Sequence, residues 1–264
     1  MADYEYKFIK LHKSMNEAQN LQAPPQPPLV IPDVIGCLSF FNADNLEIMR
    51  GFKDNEFDLA IVDPPYGIDM AQELFKRGQT CKKNGYKEHL NKDWDKQVPE
   101  QIYFTELFRI SKNQIVFGAN YMTKYLPESM GWIVWNKVQR DFSFADGELA
   151  WTSFKQGIKI FDYARGNESG FAPKLKGQER IGINIHPTQK PIKLYEWIVA
   201  NYAKPNDKIL DTHLGSGSIA IAIEKANRLD KMNLQFVGIE IDKEYYEKAL
   251  NRIEQYCRQG TLFF

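Results

Sequence analysis

The 264-residue chain has little cysteine: Cys37, Cys81 and Cys257 only. Three widely spaced thiols, odd in number, give no disulfide framework and no metal-ligand spacing. Net charge is missing too, with 34 Lys+Arg against 34 Asp+Glu. Such a chain has no strong overall attraction for nucleic acid, so a polyanion must be met by a local patch. No apolar run approaches the length of a membrane span. The N-terminal MADYEYKFIK is charged and has no signal core. A soluble, cytoplasmic protein of a reducing compartment is expected, with no membrane partner and no metal site.

What is present is 43% hydrophobic residues, enough for one medium-sized α/β domain with a small appendage. Residues 1–32 read as an N-terminal extension, because Leu21–Pro32 holds five prolines and a Pro-rich run tends to an extended linker. Residues 33–264 carry the α/β signals. Strands are expected at 57–62, 114–118, 131–135, 148–154, 207–211 and 236–241. Helices are expected at 45–52, about 99–110, 218–227 and 244–255. Ile192, Tyr195, Ile198, Val199 and Tyr202 recur at helical spacing after Pro191. Alternating strands and helices imply a mostly parallel sheet between two helical layers. Residues 68–100 read as a mobile basic loop, and 155–185 as an irregular, glycine-rich segment.

Residues 61–67 read Ile-Val-Asp-Pro-Pro-Tyr-Gly. An apolar strand thus delivers Asp63-Pro64-Pro65-Tyr66 at its tip. The Asp oxygen and the Pro64 carbonyl can accept the two hydrogens of a planar amino group. The prolines fix φ and remove two competing donors, and the Tyr face can stack on a heteroaromatic ring.

A second constellation lies at 209–217, Ile-Leu-Asp-Thr-His-Leu-Gly-Ser-Gly. Strand, acid and glycine turn open into a helix, whose first N–H groups are unsatisfied. The turn is not G-x-G-x-x-G and no P-loop Lys-Ser/Thr follows it, which argues against a dinucleotide or a nucleoside triphosphate. Glu240, at the tip of the next strand, is placed for ribose hydroxyls. A ribose without phosphate machinery fits S-adenosylmethionine. Taken singly, Gly215 and Gly217 suit an ordinary tight turn and Glu240 a solvated strand end. Their order together with the Asp63 motif favours the cofactor site.

The combination resembles the amino-methylating DNA methyltransferases. Asp63–Tyr66 looks like their catalytic motif and Asp211–Gly217 like their cofactor loop. The catalytic motif comes first, with His186-Pro187-Thr188-Gln189-Lys190-Pro191 just before the loop. That order resembles the circularly permuted β group, and the resemblance covers about 33–250. It implies a three-layer, Rossmann-like methyltransferase fold, a catalytic domain over 33–264, and transfer of a methyl group from S-adenosylmethionine to adenine N6 of a base flipped out of double-stranded DNA. It further implies that Asp63 and Pro64 hold the amine and Tyr66 stacks on the base. Asp44 would accept from the cofactor adenine, and Glu240 would take the ribose. Asp211, His213, Gly215 and Gly217 would flank the methionine part, with Thr188, Gln189 and Lys190 closing the pocket. Trp135-Asn136-Lys137 and Glu148–Phe154 resemble later motifs beside the base pocket. One departure stands out: the family commonly has Pro-Phe after the loop Asp, and here Thr212-His213 follows it.

Lys76, Arg77, Lys82, Lys83 and Lys87 in the basic loop, with Lys174 and Lys176 further on, are the expected phosphate contacts. Each alone suits a solvated surface. The family resemblance makes 155–185 a short target-recognition segment, so a short target or a homodimer is expected. Gln259-Gly260-Thr261-Leu262-Phe263-Phe264 resembles the peptide that docks on bacterial sliding clamps, and equally suits a tail folded back on its own sheet. Rival readings are cytosine-N4 methylation, methylation of an RNA base, and a catalytically silent cofactor- or DNA-binding regulator. The intact Asp63–Tyr66 motif speaks against the last.

Overall fold

The computed structural model describes residues 30–68, 97–138, 140, 145–164 and 189–260. The basic-loop residues Lys76, Arg77, Lys82, Lys83 and Lys87 lie outside these ranges, as do Lys174, Lys176, Thr188 and Thr261–Phe264.

A nine-stranded sheet forms the middle layer. Its strands are β1 (Asp33–Ile35), β2 (Leu38–Asn42), β3 (Phe57–Val62), β4 (Ser111–Phe117), β5 (Trp132–Asn136), β6 (Gly147–Thr152), β7 (Lys159–Asp162), β8 (Lys208–Asp211) and β9 (Gln235–Glu240). Their spatial order is β1-β2-β9-β8-β3-β4-β6-β5-β7. The core from β2 to β4 is parallel throughout. β1 pairs antiparallel with β2, and β6 runs antiparallel between β4 and β5. Phe57, Leu59, Ala60, Ile61 and Val62 of β3 are all buried, as a central strand covered on both faces requires.

Five helices cover the sheet: α1 (Asn45–Gly51), α2 (Gln101–Ile110), α3 (Ile192–Tyr202), α4 (Ser218–Asp230) and α5 (Lys243–Gly260). On one face, Ile48 and Met49 of α1 and Tyr103, Phe104 and Leu107 of α2 pack under Val62, Val116 and Ile239. On the other, Leu194, Tyr195 and Ile198 of α3, Ile219 and Ile223 of α4, and Ala249 and Ile253 of α5 pack against Ile61, Phe117 and Ile209. Tyr103, Phe104, Leu107 and Ile110 fall on one stripe of α2, the 3.6-residue pattern of a helix with one covered face. This is the three-layer, mostly parallel sheet that the alternating pattern predicts.

Four differences from the sequence reading stand out. β1 and β2 extend the sheet before the Asp63 strand; β2 is short, and Leu38 and Phe40 become core only by lying beside β9. Lys159–Asp162, inside the stretch expected to be irregular, is a strand because β5 offers it a parallel edge from Ile133↔Lys159 to Asn136↔Asp162. α5 runs to Gly260 rather than 255, so Gln259 and Gly260 belong to a helix and not to a loose tail. Val30 packs at the margin of the core, so folded packing begins before residue 33.

Candidate active site

The chain reverses direction across the sheet between β3 and β8, which are neighbours in register Leu59↔Ile209 and Ala60↔Leu210. Crevices at the carboxyl ends of such strands are where open α/β sheets bind ligands. Asp63–Tyr66 leaves β3 at this point, and Asp211–Gly217 leaves β8 beside it.

At the β3 end, Asp63 uses both carboxylate oxygens. Tyr66 Oη donates to Oδ1 at 2.7 Å, and Lys190 Nζ donates to Oδ2. The Asp63 side chain keeps 18% of its surface exposed, Lys190 only 3%. Tyr66 is stacked on Tyr121, with centroids 5.4 Å apart and planes 17° from parallel. Burial, then the charges of Asp63 and Glu148, push the Tyr66 phenol well above its ordinary value, so it is a hydrogen-bond donor throughout the working range.

Behind Lys190 the charges alternate. Its ammonium reaches Glu148 Oε2 at 3.4 Å, and Glu148 Oε1 accepts from Lys137 Nζ at 2.6 Å. Lys190 also lies over the Phe117 ring at 4.7 Å. Burial works against the Glu148 carboxylate, yet the charges of Lys190 and Lys137 outweigh it and hold its pKa below the ordinary value. Burial likewise opposes the Lys190 cation, and Asp63 and Glu148 together raise its pKa. Lys190 therefore sits on the Asp63 carboxylate, beside the base-facing motif. Lys137 and Glu148 came into the sequence reading only as parts of two stretches. Their signal was there: a lysine and a glutamate at the ends of otherwise apolar strands.

At the β8 end, Asp211 is 2% exposed and accepts from the His213 backbone N–H at 2.9 Å. Burial pushes its carboxyl up to about 8, the neighbouring charges of Asp63 and Glu240 adding to the shift. Glu240, at the tip of β9, accepts from the N–H of Gly215 at 2.8 Å and of Asp242 at 2.9 Å. Burial still leaves its pKa above the ordinary value. Gly215 (φ 51°) and Gly217 (φ 70°) both take left-handed backbone, where side chains are disfavoured. Arg252 of α5 clasps the turn by donating to Ser216 O at 2.8 Å and Ser218 Oγ at 3.0 Å.

Thr212-His213 builds a polar chain where the resembling family has Pro-Phe. Asn45 Nδ2 lies 3.0 Å from His213 Nε2, and His213 Nδ1 lies 2.9 Å from Thr212 Oγ1, which is 2.7 Å from Tyr103 Oη. With Nε2 accepting from the Asn45 amide, Nδ1 carries the proton and donates to Thr212. Burial drives His213 down to about 3, so its ring is neutral. Tyr103 meets the ring edge-on at 5.4 Å. The imidazole thus occupies an aromatic position, tied down by hydrogen bonds.

Asp44 closes the cluster from the β2 side. Its Oδ1 caps α1 by accepting from Glu47 N at 3.1 Å, a contribution of about 1 kcal/mol. Asn42 Nδ2 donates to Glu240 O at 2.8 Å, which places this segment next to the β9 tip. The structure thus gathers Asp44, Asp211, His213, Gly215, Gly217 and Glu240 at one end of the crevice, and Asp63, Pro64, Pro65, Tyr66 and Lys190 at the other. Asn45, Tyr103, Gly118, Tyr121 and Arg252 went unforeseen, because each acts through a partner distant in sequence.

Comparison with known proteins agrees with this geometry. Residues 132–251 match the DNA methylase family of N6/N4 methyltransferases. The chain is 26% identical, over a 327-residue alignment covering 99% of it and 85% of the relative, to the type II methyltransferase M.BglII of Bacillus subtilis. It is 22% identical to the putative methylase YubD of Escherichia coli K12, over 84% of this chain and 94% of that one. The PvuII DNA methyltransferase, described as cytosine-N4-specific, superposes with a TM-score of 0.51 at 14% identity, covering 85% and 91% of the two chains, and shares the fold. In its matched segment the chain is similar to the N6/N4 DNA methylase family, along nearly its whole length it is similar to a type II methyltransferase, and its sheet is that of a DNA methyltransferase of known structure.

Proposed function

We propose that the chain is an adenine-N6 DNA methyltransferase of the permuted β group, acting on a base flipped from double-stranded DNA. The observation that carries the reading is the placement of Asp63–Tyr66 and the Asp211–Gly217 turn on adjacent central strands, opening into one crevice. The residues present fit S-adenosylmethionine: Glu240 offers acceptors suited to ribose hydroxyls, the two glycines bring backbone close, and Asp211 offers a carboxyl oxygen that can accept from the methionine ammonium. When bound, that group supplies an electrophilic methyl on a sulfonium.

The chain's own residues prepare the nucleophile. An exocyclic amine on adenine is a poor nucleophile because its lone pair is delocalised into the ring. Asp63 and the Pro64 carbonyl accept its two N–H groups and favour a pyramidal nitrogen. Positioning supplies much of the rate. A base inside a duplex cannot reach the crevice, so it must rotate out and stack, for which Tyr66 is the platform. The amine's proton leaves during or after transfer, so Asp63 need not be a strong base. Asp at the head of the motif, where Ser is commoner for cytosine N4, favours adenine.

The basic loop over 74–92 and the 155–185 segment are the proposed DNA contacts, and a homodimer or the Gln259–Phe264 clamp contact would complete the partners. Expression in a methylation-free bacterium, followed by mapping of modified bases, tests the reading. N6-methyladenine at one recurring sequence is the expected result, absent with Asp63→Ala. N4-methylcytosine would reassign the base, label on RNA alone would reassign the polymer, and no label on either would favour a silent regulator.

A further inference from the structure

We infer that Lys190 is a positioning residue for this methyl transfer: held from behind by Glu148 and Lys137, it fixes Asp63 by Oδ2, so that the target amine is received at Oδ1, on the Tyr66 side. The inference rests on the amine-methylating reading above.

Three observations carry it. Each Asp63 oxygen already accepts one protein donor, so an arriving amine must share an oxygen or replace a donor. The two partners differ in how firmly they are held. Lys190 is 3% exposed, bridges two carboxylates, lies against Phe117 and also donates to the Tyr66 hydroxyl at 3.2 Å. The Tyr66 hydroxyl is neutral, and its ring must in any case offer a face to the base. A charge-assisted bond from a buried ammonium outlasts a neutral one, and removing one member of a buried charge pair is strongly unfavourable. Oδ1, held by the neutral donor, is therefore the oxygen that receives the amine.

Lys190 is also shared. Its second acceptor, Glu148 Oε2, is buried and makes no hydrogen bond of its own, only the 3.4 Å charge contact. The ammonium thus divides its field between the reacting carboxylate and Glu148, while Lys137 holds the far oxygen of Glu148 at 2.6 Å. Asp63 is further faced by Tyr66 on its own segment, Tyr103 of α2, Tyr195 of α3 and Asp211 of β8, whose charges or phenols interact with it. Those groups are unchanged by substitution at 190 or 148. Loss of the Lys190 cation leaves Asp63 Oδ2 without its donor, whereas loss of the Glu148 charge leaves the ammonium in place without one of its supports.

The test is the separation of kcat from KM and from cofactor affinity for transfer of labelled methyl groups from S-adenosylmethionine to DNA, with full-length protein carrying Lys190→Met, Lys190→Arg or Glu148→Gln. Cofactor affinity is read by calorimetry and folding by thermal melting. For Lys190→Met kcat should fall about tenfold with cofactor Kd little changed, and Lys190→Arg, which keeps a cation there, should recover much of that loss. Glu148→Gln, which removes a support of the ammonium, should lower kcat by less, again at unchanged cofactor Kd. If Lys190→Met does not fold, the kcat of Glu148→Gln still decides. A kcat that stays in place in these variants, or a loss in Lys190→Met that Lys190→Arg does not reduce, would overturn the inference. So would loss of cofactor affinity in Lys190→Met with kcat unmoved, which would return Lys190 to the cofactor. A wild-type protein that labels no DNA would instead sink the functional reading on which the inference rests.

Discussion

Gly118 and the Tyr66 ring exclude any side chain between them. A Cβ built on Gly118 would lie 2.0 Å from Tyr66 Cε1 and 2.3 Å from Cδ1. Gly118 also has φ 64°, and the chain turns there from β4 into a single 3-10 turn that brings Tyr121 over the same ring. Gly118→Ala must push Tyr66 from its place and adopt a disfavoured backbone, costing at least about 1 kcal/mol in stability. The expected outcome is loss of most methyl transfer with cofactor affinity retained, checked by a turnover assay beside calorimetry.

Asp63→Ala should abolish methyl transfer and leave cofactor binding intact. The carboxylate stands at the end of β3 against Lys190 and Tyr66, while the acids near the glycine turn come from β8 and β9. Wild-type turnover in this variant, measured with labelled methyl groups, would remove the catalytic assignment.

Asp211 makes stability depend on pH. Its carboxyl is pushed up to about 8 from an ordinary value of 3.8. Between those values the folded chain keeps a proton that the unfolded chain releases, so stability falls as pH rises. The contribution is complete below the unfolded value and lost once pH passes the folded one. Asp211→Asn keeps an acceptor for the His213 N–H and removes the slope. Its melting temperature should exceed the parent's at pH 7.5 and converge with it near pH 4.5, which a series of melts would show.

Glu240→Ala removes the acceptor for the Gly215 and Asp242 N–H groups together with the proposed ribose ligand. Orphaning such donors costs about 1–3 kcal/mol. Cofactor Kd should rise about tenfold or more, with DNA binding unaffected. Calorimetry and a DNA gel-shift would separate the two.

Much of the site was legible because two motifs keep their chemistry within short spans. Asp63-Pro64-Pro65-Tyr66 and the 211–217 turn each follow an apolar strand, and a strand must deliver its next residues to the sheet's edge. The neighbourhood of β3 and β8 was not legible, since 145 residues separate Val62 from Lys208 in the numbering and periodicity says nothing about pairing. For the same reason the contact of Lys190 with Asp63, 127 positions away, could not be read from the sequence, where the family resemblance placed Lys190 beside the cofactor. β7 escaped notice because an edge strand of four residues, with Ile160 63% exposed, carries no buried alternation. The polar chain through Asn45, His213, Thr212 and Tyr103 needs three separate elements, and only the departure from Pro-Phe hinted at it.

The clasp of Arg252 on Ser216 and Ser218 couples the last helix to the cofactor turn. It sets a practical limit on how the protein can be cut or fused. An appendage grafted after Gly260 leaves two helical turns beyond the clasp as a spacer. A shortening that removes Arg252 releases the backbone of the turn some 36 residues upstream, so a terminal trim would register as weakened methyl-donor binding rather than as simple fraying.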